Sequence, residues 1–303
     1  MRMLGISTCW WGNKSLRGDE IVSEILELGI QGVELEYRLT NRIYQEMRPQ
    51  LNEAVTVLSV HNFFPKPQDS PEKRASGDFF LLSSTSNNER SMAVKYSVRT
   101  IEHARDLGAR AVVFHLGRVD MPNPTKSFIR LYREGKMGQS EGLALIDEQR
   151  RIRQARHRKN LDAVLFSLEE LNRVAEEKKI FIGIENRCHF FEIPDFEEIE
   201  TILKEFQGGR VRYWHDVGHA IVQENLGILP QKDLLEAYSE MMIGIHLHDV
   251  RGIDDHLSPG QGEMDYGQVM PFLKPSLIKI LEIHSKVERT ELLRGIQFIK
   301  DIG

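Results

Sequence analysis

Imidazole and carboxylate side chains recur at the ends of short apolar runs along this chain. Gly32–Glu36 (GVELE) closes on Glu34 and Glu36, Val55–Val60 (VTVLSV) runs into His61, and Ala111–Leu116 (AVVFHL) carries His115. Ile180–Asn186 (IFIGIEN) brings Glu185, and Val211–His215 (VRYWH) leads to Asp216. Met242–His248 (MIGIHLH) carries His246 and His248, and Leu277–Ile283 (LIKILEI) carries Glu282. Nitrogen and oxygen donors without thiolate suit Zn, Mn, Mg, Fe or Co. Carboxylates that converge without a cation repel one another and raise their own pKa values. A bound divalent ion relieves that repulsion, and it polarises a carbonyl or acidifies a water. Glu185, Asp216, His246 and Glu282 are therefore read as the ligands of a divalent metal.

Three local motifs sharpen this reading. In Asp216–Val217–Gly218–His219, the glycine lets the chain bend between the acid and the imidazole. In His246–Leu247–His248–Asp249, period-two geometry puts both imidazoles on one face. The run Asp254–Asp255–His256 precedes Pro259–Gly260–Gln261–Gly262–Glu263, a loop able to return Asp254 and His256 over the metal. His61, His115, His219, Asp254 and His256 are accordingly candidate additional ligands. His215 and His284 are expected to point away from the site or to support it from behind.

Something must bring these positions together. With Met3–Ser7 (MLGIS), the apolar runs number eight, each too short for a helix and rich in strand-forming residues. Helical patterns lie between them: Asp19–Leu28 stopped by Gly29, Ser91–Leu107 stopped by Gly108, Leu161–Ala175, Phe196–Phe206, Gln231–Met241, Tyr266–Leu273 and Val287–Ile299. Strand–helix alternation of this kind needs a parallel sheet with crossovers. An open doubly wound sheet usually shows a Gly-rich phosphate loop after its first strand, and Thr8–Asn13 (TCWWGN) is not one. The expected fold is α/β, a single-domain (β/α)8 barrel over 1–303, whose catalytic groups gather at the C-terminal ends of the strands. Two long segments, 62–88 and 118–160, are expected as loops over that mouth.

Composition narrows the function classes. The chain has 303 residues, 41% hydrophobic and 28% charged, which is ordinary globular composition. A net charge of −5 gives no global field for nucleic acid. Two cysteines, Cys9 and Cys188, make no disulfide framework, so the reducing cytoplasm is the expected location. The N-terminus carries no signal-like apolar stretch, and no run of about 18 apolar residues predicts a membrane span. Arg150–Lys159 (RRIRQARHRK) holds six Lys or Arg and no acid. It is read either as a solvated helix face or as a patch for a phosphate or other anion.

The motifs also resemble a known family. HN after strand three, HLG after strand four, IEN after strand five and DVGHA after strand six are similar to the xylose isomerase-like TIM barrel superfamily. IHLHD on strand seven, HLSPGQGEMDYG and LEIH on strand eight extend the likeness over nearly the whole chain. That superfamily joins sugar and sugar-phosphate isomerases and epimerases with the family-2 apurinic endonucleases. The resemblance implies one metal (Zn, Mn, Mg or Co) on Glu185, Asp216, His246 and Glu282. Glu185 and Glu282 would then move a proton as base and acid around a metal-stabilised enediolate. His248, Arg187 and Glu36 would bind a small sugar-like substrate. The endonuclease branch implies instead a multinuclear phosphodiesterase that uses the extra candidates, with nucleic acid as its substrate. A metal-dependent dehydratase or aldolase and a non-catalytic ligand-binding barrel remain as further alternatives, and a homo-oligomer is compatible with all of them. Tyr37–Asn41 (YRLTN) lacks the basic, aromatic DNA-inserting loop of the endonucleases, and Asn62–Phe63–Phe64–Pro65 departs from their pattern. The reading that leads is an isomerase or epimerase.

Overall fold

The computed structural model describes residues 4–68 and 77–302; Met3 of the first expected strand and the middle of the 62–88 segment fall outside them. Eight strands close into a barrel: β1 (Leu4–Ser7), β2 (Gly32–Leu35), β3 (Thr56–His61), β4 (Ala111–Phe114), β5 (Phe181–Glu185), β6 (Val211–Asp216), β7 (Met242–Leu247) and β10 (Ile278–Leu281). All pairings around the ring are parallel, and β1 shuts it by pairing with both β2 and β10. Strands β8 (Asp249–Arg251) and β9 (Asp254–Leu257) form a separate antiparallel hairpin after β7. The described chain is one domain, and none of its helices is long and apolar enough to cross a membrane.

Alternation along the strands sorts the side chains into two sets. Ala111, Val113, Trp214, Ile278 and Ile280 point inward and form one buried cluster with Ile243, flanked by Leu58 and Phe181. Val112, Phe114, Ile182, Ile184, Leu247 and Leu281 point outward into the larger core beneath the helices. The barrel is thus filled rather than hollow. Trp214 is the largest inward side chain, and two glycines make room for it. A Cβ on Gly183 would come within 2.9 Å of the indole, and one on Gly244 within 2.2 Å. Above this plug, the inward column of each strand turns polar.

The helical layer follows the sequence in part. α1 (Gly18–Glu27), α3 (Asn87–Asp106), α6 (Phe196–Glu205), α8 (Gln231–Tyr238) and α9 (Arg289–Ile302) lie where periodicity puts them, shifted by a few residues at the ends. The capping box of Asp195 with Glu198 fixes the start of α6. Three short helices, α2 (Asn41–Met47), α4 (Thr125–Arg133) and α7 (Val217–Asn225), were not expected. Tyr266–Leu273 forms two 3-10 turns in place of a helix.

The largest correction concerns residues 118–160, expected as a loop. They contain α4 and the first half of α5 (Ser140–Lys178), a 39-residue helix that also absorbs Leu161–Ala175. The early turns of α5 are polar because they cover a satellite core, not the barrel. There Phe128, Leu131, Met137 and Ile146 pack on Val222 and Leu226 of α7 and on Val250 of β8. Those partners follow the C-terminal ends of β6 and β7, so this cap stands on the mouth side. Arg153 fastens it: its guanidinium binds Glu198, Asp195 and the carbonyl oxygens of Phe190 and Glu192. The other cations of the Arg150–Lys159 run are exposed and partly paired, Arg150 with Asp147, Arg158 with Asp162 and Lys159 with Asp120. In the 62–88 segment, Phe63, Phe64, Phe79 and Leu82 are buried against the barrel, so its described part is packed rather than free.

Replacing Gly244 with alanine forces the indole of Trp214 from its slot, and overpacking of this kind costs about 1–3 kcal/mol. Urea titration of Gly244→Ala should show a lowered midpoint with an unchanged slope; an unchanged midpoint would mean that the barrel interior has slack.

Candidate metal centre

The inward columns end in donors. Two residues beyond Val113 stands His115, beyond Gly183 Glu185, beyond Trp214 Asp216, beyond Gly244 His246, and beyond Ile280 Glu282. Glu185 and Asp216 are the last residues of their strands, and His115 and Glu282 lie one residue past theirs, at the C-terminal mouth. Glu185, Asp216, His246 and Glu282 each offer one atom to a group whose members lie within 4.8 Å of one another.

His246 is the centre of this group. Its Nδ1 lies 2.7 Å from Glu185 Oε1, 2.8 Å from Glu282 Oε2 and 3.5 Å from Asp216 Oδ2. Its Nε2 lies 3.1 Å from Glu34 Oε1, and Ser59 donates a hydrogen bond to the other Glu34 oxygen. In a neutral ring the Glu34 contact takes the Nε2 proton, which leaves the Nδ1 lone pair facing three carboxylate oxygens. Only positive charge at that point resolves the contact. The ring supplies it as imidazolium: burial opposes the charge, but Glu282 and Glu34 hold the His246 pKa well above its ordinary value. A divalent ion supplies more. Asp216 Oδ2 fits that role too, being buried with no hydrogen-bond partner among the described residues. The donor set, three carboxylates and one imidazole, fits a divalent metal.

Burial also works against ionised Glu185, yet hydrogen bonds from His115 and His246 hold its carboxyl well below the usual carboxylate range. Asp216 is held low against burial by His219, His248 and His246, and Glu282 by His246 and His256. All three are ionised at neutral pH and ready as ligands.

Two further groups adjoin the first. His61, His115 and Glu185 form one, and Asp216, His219 and His256 the other. Their imidazoles are oriented from behind. His61 Nδ1 is 2.9 Å from the carbonyl oxygen of Asn62, and His219 Nδ1 is 3.0 Å from that of Asn186. His256 Nδ1 is 3.0 Å from Asp255. For His61 and His219 the contact commits the Nδ1 proton and leaves Nε2 as the free donor atom, whereas Nε2 of His256 faces Glu282 Oε2 at 3.8 Å. Burial pushes the pKa of His61 down to about 4 and lowers that of His219, so both rings are neutral at physiological pH.

The remaining candidates are placed differently. Asp254 is exposed and joins none of the three groups. His256 adopts φ +57, in the left-handed region, which breaks the strand alternation so that Asp255 partners the imidazole. His248 is buried; its Nε2 bonds Asp216 and its Nδ1 accepts from the His256 backbone, so neither ring nitrogen is free for a substrate. Glu36 is also buried, with both oxygens on Arg38, and burial raises its carboxyl to about 7 against the pull of Arg38. Arg187 lines the mouth, bound to Glu185 at 2.7 Å and Glu192 at 3.2 Å. Of the expected supporting residues, His215 lies behind the site, with its ring between Tyr213 and Gln231.

Sequence reasoning missed three contributors. Asn186 accepts from the Asp216 backbone and holds His219 through its carbonyl. Asp78 stands 3.6 Å from His115, and Asp255 orients His256. Asn186 follows Glu185 directly, so its position was visible; Asp78 sits in a segment with no periodicity to place it. The mouth encloses about 340 Å³. A larger groove of about 610 Å³ runs along α5 and shares His189 and Glu192 with it, but none of the three donor groups lies there.

The Glu34 carboxylate sets which His246 nitrogen faces the donors. Glu34→Gln should weaken divalent-ion affinity by about 10–100-fold in competition with a chelating dye. Unchanged affinity would show that another contact fixes the ring.

Residues 22–302 match the family model described as xylose isomerase-like TIM barrel. An uncharacterized protein of Methanocaldococcus jannaschii is 30% identical over 136 residues, 43% of this chain and 49% of that protein, so the match spans about half the length of that curated relative. Among solved structures, a D-tagatose 3-epimerase-like protein superposes with a TM-score of 0.67 at 20% identity, covering 99% of this chain and 96% of that one. D-allulose 3-epimerase from Methylomonas sp., solved with D-allulose, gives 0.68 at 13% identity over 100% and 97%. IolI protein with a bound zinc atom gives 0.66 at 13% identity over 99% and 96%. At these identities the solved structures speak for the fold. The family match covers nearly the whole barrel, and the chain belongs to the xylose isomerase-like TIM barrel family.

Proposed function

We propose that this protein is a divalent-metal-dependent isomerase or epimerase of a small sugar or sugar phosphate. The observation that carries the reading is the convergence of Glu185, Asp216 and Glu282 on Nδ1 of His246 at the floor of a small polar mouth. The likeness to sugar epimerases, one of them solved with its ketose and a further relative with zinc, supports the substrate class. A divalent ion on these four residues supplies Lewis-acid polarisation of a carbonyl, which acidifies the adjacent C–H. Glu185 and Glu282 line the cavity and stay ionised, so either can accept that proton and, once protonated, return it to the substrate. Arg187 neutralises Glu185 and fixes its direction.

The assay is exchange of a carbon-bound proton with deuterated water, across a panel of ketoses, with Mn²⁺- or Co²⁺-loaded protein. Glu282→Gln removes one proton-transfer group and should lower kcat by about 10²–10⁴-fold. Stripping the metal with chelator should abolish exchange, and re-addition should restore it. Exchange that survives both treatments would overturn the assignment.

A second reading has its own support. The free Nε2 atoms of His61 and His219, each in a donor group of its own beside the first, suit more than one ion, as a multinuclear phosphodiesterase requires. Elemental analysis of protein purified without chelator separates the two. About one ion per chain favours the sugar reading; two or three, together with nicking of abasic DNA, would replace it.

A further inference from the structure

We propose that Arg38 forms an oxyanion subsite at the rim of the mouth, and that the substrate carries a carboxylate or phosphate away from its reacting carbonyl. This deepens the sugar reading and rests on it. Arg38 follows β2 and lines the cavity together with Glu185, Glu282 and His61. Its guanidinium is held from two directions: Nη1 bonds Glu36 Oε2 at 2.7 Å, and the group lies 4.4 Å over the Tyr37 ring. Tyr37 in turn packs edge-on against His61. Gly12 completes the seat, since a Cβ there would stand 2.8 Å from Arg38 Cδ.

What this leaves open is specific. Nε and Nη2 of Arg38 have no hydrogen-bond partner among the described residues, and the side chain is 34% exposed. Those two atoms carry the parallel N–H pair that matches a carboxylate or phosphate in a bidentate contact. Glu36, which offsets the charge, is wholly buried and presents no oxygen to the cavity. Arg187, the other arginine lining the cavity, is spent on Glu185 and Glu192. Asn13 and Ser285, hydrogen-bonded to each other at 2.7 Å, extend the same wall with neutral polar groups. A neutral hydroxyl would use only half of the Arg38 fork.

The test is calorimetric binding to Mn²⁺-loaded protein of D-fructose, D-fructose 6-phosphate and D-fructuronate. At least one anionic ligand should bind about 10-fold or more tightly than the neutral ketose, and the two anions tell phosphate from carboxylate. In Arg38→Met the preference should fall to within about twofold of unity. Arg38→Lys keeps the partner of Glu36 and the fold, and should lose most of the preference with the fork. If D-fructose binds and neither anion binds more tightly, or if the preference survives both variants, the subsite is overturned and the sugar reading stands. If no ketose of either charge binds, the sugar reading fails and takes the subsite with it.

Discussion

Three carboxylate oxygens aimed at one imidazole nitrogen are the contact on which the rest of this structure depends. All four groups are buried, and burial opposes each charge. Such an assembly persists only if the surrounding scaffold fixes every member, because relaxation would scatter the like charges. The barrel does this by ladder register. Asp216 is paired with His246 across β6 and β7, and Glu185 with Trp214 across β5 and β6. The apolar plug beneath, centred on Trp214, stops these side chains from folding inward. Trp214 also meets His246 edge-on at 5.1 Å.

Polar contacts behind the donors convert that register into chemistry. Glu34 governs the tautomer of His246, Asn186 ties Asp216 to His219, and Asp255 turns His256. In each case one nitrogen is committed so that the other is available. The same logic separates residues that meet a substrate from residues that hold others in place. His248 and Glu36 are of the second kind, since all their polar side-chain atoms already have partners.

Much of this was legible in the sequence, and the failures have physical causes. Short Val- and Ile-rich runs marked the strands because both faces of a barrel strand are buried, and period two then placed Glu185, Asp216, His246 and Glu282 on the inner face. The first half of α5 was misread because its covering role needs few apolar residues, and Arg150–Lys159 hides the helical stripe behind six cations. Asp254 was named from a loop able to return over the metal, but it is exposed, and Asp255 is the residue that partners His256. The role of Arg38 lies in the atoms it leaves unbonded, which no spacing rule reports.

The length of α5 has a consequence for traffic into the site. One uninterrupted helix serves both the barrel wall, through Leu161 to Ala175, and the cap, through Ile146. It contains no proline to act as a pivot. The cap and this part of the barrel wall therefore share one continuous element. The rim of the mouth carries Gly12, Asn13, Arg38 and Ser285, so a ligand entering past them meets polar and cationic groups before it reaches the carboxylates below.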